Sequence, residues 1–501
     1  MNARLVLNPS YALATVDPRL YGGFAEHLGR CIYGGLYEPG HPAADDRGFR
    51  TDVMALLRDL HLPVIRYPGG NFVSGYRWED GIGPQATRPR RLETAWKSTE
   101  TNQFGTDEFC EWCRRLGSEP MLAVNLGTRG PEAAANLVEY CNHPSGTAWS
   151  DRRRAHGWEA PHGVKLWCLG NELDGPWQIG HKTAEEYGRV ACEAAKLMKW
   201  VDPTIHLVAC GSSGRGMASF GAWEATVLDH TFDHVEYVSI HTYFGNQDGD
   251  FANFLAKPEQ MSTFIEEVVA CCDYVAAKRR SPKRIMLSFD EWNVWYHSHG
   301  DRQRRQIQDW AVAPPLLEDI YTVADALVAG GMLISLINHA ERVRIACLAQ
   351  IVNVIAAVMT EERGPAWRQT LYWPLLQASR YGRGTVLRQV VESPTYACRE
   401  LRQAPYLSSA SVLDPQDGTL TLFAVNRHLT EACELRAELQ GCGRFSQVAW
   451  TVLRDDDLQA VNTAAAPDRV VPQAWSGATL GAASLAAALP PASWNVLRLH
   501  R

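Results

Sequence analysis

Apolar, β-branched runs alternate with amphipathic stretches along most of the chain. Eight of the runs read as strands: 20–26, 62–66, 120–125, 164–172, 206–210, 235–241, 284–291 and 332–338. Near-continuous apolar strands suit a parallel sheet that is covered on both faces. Helical patterns lie between them. Phe109, Trp112, Cys113 and Leu116 share one helical face, with Thr106 as the expected cap and Gly117 as the stop. Thr183 and Glu186 have the spacing of a capping box. Ile265, Val268, Val269, Cys272 and Val275 make a further stripe. Eight strand–helix units over about 350 residues predict a (β/α)8 TIM barrel, an α/β fold, with insertions.

After about residue 376 the pattern changes. Short strands are expected at 385–391, 419–425, 448–453 and 494–499, and Asp417-Gly418 is a hairpin signal. This part predicts a jelly-roll-like β-sandwich, and the strand-like piece at 4–8 can pair with it. The expected division is a barrel at 14–375 and a sandwich of 1–13 plus 376–501.

Composition narrows the function. The chain of 501 residues is 46% hydrophobic and 21% charged, ordinary for a globular protein. Its formal net charge of −7 is spread along the chain, which argues against nucleic acid as the main partner. No window approaches the ~18 consecutive apolar residues of a membrane span. The first residues lack the pattern of a secretory signal. Thirteen cysteines, an odd number, then read as thiols in a reducing cytoplasm. Cys110 and Cys113 form a lone CxxC within a helical pattern and read as core rather than as zinc ligands.

Nearly every predicted strand ends in a polar residue: Glu26, Arg66, Asn125, Asn171 with Glu172, His241, Glu291 and Asn338. Strand C-termini build the active face of such a barrel. Glu172 and Glu291, ending strands four and seven, would face each other across its mouth. One protonated and one ionised carboxyl over a sugar can cleave a glycosidic bond. Trp167, Trp177, Trp292, Trp295 and Tyr296 crowd the two glutamates. Trp167, inside a strand, reads as packing; Trp177, in the turn after Glu172, reads equally as packing or as a sugar contact. His297 and His299 leave a metal site open as a rival reading, although loop histidines beside a sugar site more often donate hydrogen bonds.

The segments W-C-L-G-N-E-L-D-G-P-W-Q-I-G-H (167–181) and F-D-E-W-N-V-W-Y (289–296) resemble the catalytic strands of glycoside hydrolase family 51, the intracellular α-L-arabinofuranosidases. F-A-E-H-L-G-R-C-I-Y-G-G-L-Y-E-P-G (24–40), R-Y-P-G-G-N-F (66–72), W-K-S-T-E-T-N-Q-F-G (96–105), I-H-T-Y-F (240–244) and A-Q-I-V-N-V-I (349–355) agree in the same order. The resemblance implies Glu172 as general acid/base and Glu291 as nucleophile. It implies Asn171 on the sugar 2-hydroxyl and Tyr243 on the nucleophile. Glu26, Asn71 and Gln350 would bind sugar, with Trp96 and Trp177 shaping the pocket and Arg66 and His241 in support. It also implies a retaining exo-acting enzyme on arabino-oligosaccharides, with no cofactor and no metal, cytoplasmic, and a homo-oligomer of hexameric type. A β-xylosidase or endo-glucanase of the same clan and a non-catalytic carbohydrate-binding barrel are the alternatives. A metal-dependent or Schiff-base barrel finds no lysine at the end of any predicted strand.

Overall fold

A computed structural model describes residues 1–501. Eight parallel strands close into a barrel. In chain order they are β1 (Gly22–Phe24), β2 (Val64–Tyr67), β3 (Glu119–Ala123), β4 (Leu166–Leu169), β5 (His206–Cys210), β6 (Tyr237–Phe244), β7 (Met286–Val294) and β8 (Val343–Ala349). Closure comes from β8 beside β1, with Cys347 opposite Gly22. Every residue of β2 and β4 is buried, as expected of strands covered on both faces. Phe24, Val64, Met121, Leu166, Val208 and Ile345 pack together in one buried cluster inside the barrel. The barrel is therefore filled, and the room for chemistry is left at its C-terminal mouth.

Seven of the eight expected strands are present. The eighth is not at 332–338: that run is the second half of the helix Val323–Asn338, and the true β8 follows it. A short apolar run has no period that separates a strand from a helix buried on all sides. Every residue from Val323 to Ile337 is buried, because the helix lies between the barrel and the C-terminal sheets. Asn338 accordingly does not end a strand; its amide donates to the Ser409 carbonyl of the sandwich at 2.9 Å. Thr106 is likewise the first helical residue rather than the cap. Gly105 is the cap, its N–H bonded to Glu108 Oε2 at 2.9 Å, and left-handed Gly117 ends the helix as expected. The Thr183–Glu186 capping box forms as read.

Apart from three two-stranded ribbons, the remaining strands form a five-stranded and a seven-stranded sheet. Leu5, Leu435 and Leu485 of the first pack with Leu422, Trp450 and Leu497 of the second in one apolar cluster, which makes a sandwich. Asn2–Leu7 is the second strand of the five-stranded sheet, parallel to Cys433–Leu439 and antiparallel to the edge strand Val390–Glu392. Ala12–Thr15 pairs with Thr385–Leu387 in the other sheet. The barrel and the sandwich meet tightly at Gly330, where a Cβ would come within 2.5 Å of the Trp494 ring. No helix is long and apolar enough to cross a membrane.

Candidate active site

The strand ends bring the expected residues together. Glu172 follows β4 in a left-handed conformation, φ 46°, two residues after Gly170 at φ 95°. A non-glycine residue held there costs about 1–3 kcal/mol, and such strain is characteristic of functional positions. Glu291 lies within β7 and is 5% exposed. Carboxylate oxygens of Glu172 and Glu291 and a ring nitrogen of His241 lie within 4.8 Å of one another.

Each glutamate is held by both oxygens. Arg66, at the end of β2, donates Nη1 to Glu291 Oε1 at 2.7 Å, and Tyr243, from β6, donates its hydroxyl to Glu291 Oε2 at 2.7 Å. Burial and the adjacent Glu291 push the Tyr243 phenol well above its ordinary pKa, so it remains a donor. Glu172 Oε1 faces His241 Nδ1 at 2.9 Å, and Glu172 Oε2 accepts from Trp177 Nε1 at 2.8 Å. Trp177 is half exposed and lies over the acid like a flap. Arg66 also donates Nη2 to Asn171 Oδ1 at 2.6 Å. That contact fixes the amide and leaves the buried Asn171 Nδ2 without a partner. A buried unpaired donor at a mouth is a group prepared for a ligand.

The other wall is built on Glu26. Its Oε1 accepts from Phe72 N–H and from Trp96 Nε1, both at 2.9 Å, and its Oε2 lies 3.4 Å from Gln350 Nε2. Gly70 makes this possible: a Cβ there would come within 2.5 Å of Glu26 Oε2. Asn71 sits half-buried between Gly70 and Phe72. Burial, which outweighs those donors, pushes the Glu26 carboxyl up to about 8, and the charge of Glu291 adds to the effect. Trp96 is held in turn by Glu93, which accepts from the Ala95 and Trp96 backbone N–H groups at 2.7 and 2.8 Å. Gln350 directly follows β8, so the strand that pattern reading misplaced still delivers a residue to the mouth.

Other candidates lie apart from this cluster. Trp167 is fully buried and bonded to the Val164 carbonyl, so it is packing. His297 pairs with Asp325 at the start of the interdomain helix, and His299 stands edge-on to Trp295. Asn125 folds its own loop by accepting from the N–H groups of Gly127 and Thr128. Cys110 and Cys113 are buried in their helix, and all thirteen cysteines are unpaired.

Asp290 escaped the sequence reading. It is fully buried beside the nucleophile, its Oδ1 is 3.0 Å from His241 Nε2, and its Oδ2 is 3.6 Å from Arg66 Nε. The available signal was a second carboxylate inside a strand that is buried along almost its whole length, where an unpaired charge is costly. Burial alone would lower the His241 pKa, but Glu291, Asp290 and Glu172 outweigh it and hold the imidazole at about 10. Burial alone would raise Asp290, but Arg66 and His241 hold it below its ordinary value.

The comparisons with known proteins agree with this geometry. The α-L-arabinofuranosidase 1 domain matches residues 56–261, and the α-L-arabinofuranosidase C-terminal domain matches residues 290–493. An intracellular exo-α-(1→5)-L-arabinofuranosidase of Halalkalibacterium halodurans is 54% identical over 100% of this chain and 99% of its own. The chain belongs to glycoside hydrolase family 51. A second relative, an intracellular exo-α-(1→5)-L-arabinofuranosidase 1 of Bacillus subtilis, is 52% identical over 100% of this chain and 99% of its own. The crystallised family-51 α-L-arabinofuranosidase AbfB of Bifidobacterium longum superposes with a TM-score of 0.94 at 44% identity, covering 99% of both chains.

Proposed function

We propose that this family-51 chain is a retaining, exo-acting α-L-arabinofuranosidase that removes terminal arabinofuranose from arabino-oligosaccharides. The observation that carries the mechanism is the approach of Glu172 and Glu291 to within 4.8 Å through their nearer oxygens. Retaining glycosidases hold their carboxyls ~5–5.5 Å apart, whereas inverting ones leave ~6.5–9.5 Å for a water.

In this reading Glu291, ionised between Arg66 and Tyr243, attacks the anomeric carbon. Glu172 gives its proton to the departing oxygen as that bond breaks. Glu172 then takes a proton from water, and the hydroxide displaces Glu291 from the sugar. Asn171 Nδ2, held by Arg66, is the donor for the 2-hydroxyl. Glu26, Asn71 and Gln350 bind the remaining hydroxyls, while Trp96 and Trp177 close the pocket. Polar groups left unpaired by a wrong sugar would discriminate strongly against it. The names of the two relatives support an α-(1→5) linkage and an intracellular location, and thirteen unpaired cysteines suit the cytoplasm. A homo-oligomer belongs to the same proposal and is checked by light scattering.

The deciding experiment compares 4-nitrophenyl α-L-arabinofuranoside with the β-D-xyloside, with Glu291→Gln as the blank. Release from the arabinoside, with the α-anomer of arabinose formed first by NMR, is the expected result. Initial formation of the β-anomer would remove the retaining mechanism, and preferential xyloside cleavage would remove the sugar assignment.

A further inference from the structure

Asp290 touches neither sugar-facing oxygen of the catalytic pair, yet it lies beneath both glutamates. Its Oδ1 faces His241 Nε2 at 3.0 Å, and His241 Nδ1 faces Glu172 Oε1 at 2.9 Å. Its Oδ2 lies 3.6 Å from the Nε of Arg66, the residue that holds Glu291. Asp290 and His241 have side chains 1% and 2% exposed, so water does not substitute for these contacts.

We infer that Asp290 is a positioning residue: its carboxylate keeps a proton on each nitrogen of His241, so that Nδ1–H faces Glu172 Oε1 and Glu172 cannot spend the catalytic proton on the ring. This rests on the reading of Glu172 as the acid. The reasoning is a matter of hydrogen-bond direction. The Asp290 carboxylate accepts only, so Nε2 donates to it, and the ring that carries a second proton donates Nδ1–H to Glu172 Oε1. With Nδ1–H on Oε1, the ring offers no acceptor for the proton of Glu172, while Trp177 Nε1, also a donor, holds Oε2. A neutral His241 that spent its one N–H on Asp290 would instead present a bare Nδ1. Glu172 would then donate its proton inward, away from the departing oxygen.

Several groups face His241. Glu172 comes from β4's end, Glu291 and Asp290 come from β7, and Ser239, with its hydroxyl 3.2 Å from Nε2, lies on β6 itself. Arg66 and Cys168 border Asp290 on its far side. The three carboxylates favour the imidazolium, and Asp290 is the one among them that takes no part in bond making.

Asp290→Asn keeps the shape and removes the charge. The expected result is a kcat loss on the order of 100-fold on an arabino-oligosaccharide, whose leaving group needs the proton, with a loss below about tenfold on the 4-nitrophenyl arabinoside. Activity on the oligosaccharide should also fall more steeply from about pH 6 to 8 than in the wild type, as His241 returns toward its ordinary pKa near 6.5. Equal losses on both substrates with an unchanged pH profile would overturn the inference and leave Asp290 a packing residue. Should the variant not fold, ¹⁵N-histidine spectra of the wild-type protein decide, with the His241 signals assigned by their absence in His241→Asn. Two protonated nitrogens at about pH 8 are expected; a bare Nδ1 would overturn the inference. The Glu172 reading itself is tested separately: equal losses on both substrates in Glu172→Ala remove the acid.

Discussion

Tyr243 and Arg66 grip opposite oxygens of Glu291, each at 2.7 Å. A carboxylate held in this way cannot rotate, so the attacking oxygen is aimed before the sugar arrives. Hydrogen bonds to charged groups contribute about 1.5–3 kcal/mol. Tyr243→Phe should therefore lower kcat/KM about 10- to 100-fold with the fold intact. Steady-state kinetics checks this, and an unchanged kcat/KM would mean that Arg66 alone orients the nucleophile.

Glu291→Ala should abolish turnover while leaving the thermal midpoint close to that of the wild type. Substantial remaining activity would sink the nucleophile assignment.

Glu172→Ala should cost on the order of 10²–10⁴-fold on oligosaccharides, the usual worth of a general acid. The first step on an activated aryl arabinoside needs no proton and should be far less affected. Added azide should rescue the second step, which has lost its base; no azide product in the reaction mixture would argue against Glu172.

Glu26 gives a pH signature in stability. Its folded-state pKa of about 8 lies above its ordinary value of 4.5, so the folded protein holds a proton there that the unfolded chain releases. That contribution is complete below about pH 4.5 and is lost as the pH rises through about 8. Glu26→Gln, which cannot ionise, should flatten the decline of the thermal midpoint between about pH 5 and 8, measured by calorimetry. Parallel curves for the two proteins would show that Glu26 ionises without difficulty in the fold.

Gly330 and Trp494 test the joint between barrel and sandwich. The three atoms nearest to a methyl group at Gly330 all belong to the Trp494 ring. Overpacking of this kind costs about 1–3 kcal/mol. Gly330→Ala should lower the denaturation midpoint without changing KM; a neutral effect would mean that the ring can shift.

The barrel was legible because seven of its strands are apolar runs, six of them ending in a polar side chain, and that pattern survives without any knowledge of contacts. The eighth was not. M-L-I-S-L-I-N has no polar face in either period, because the helix that contains it is covered by the barrel on one side and by sheets on the other. Glu172 and Glu291 were legible as a pair from strand position. The contacts of Glu26, Asn71, Gln350 and Trp96 came from motif resemblance, since nothing local says that Gly70 leaves space for a carboxylate. Asp290 was hidden by its neighbour. Alternation along a strand assigns adjacent residues to opposite faces, whereas β7 shifts register between Phe289 and Trp292, and both Asp290 and Glu291 reach His241.

The strand Asn2–Leu7 has a further consequence, one of timing. Its partners, Val390–Glu392 and Cys433–Leu439, are made about 400 residues later. At roughly 5–20 residues per second, a nascent chain carries that apolar strand unpaired for roughly 20–90 s, while the barrel it precedes can already close. During synthesis the strand is thus an open sheet edge in search of a partner, and the ribosome's pace, rather than any property of the finished fold, sets how long it must be kept from the wrong one.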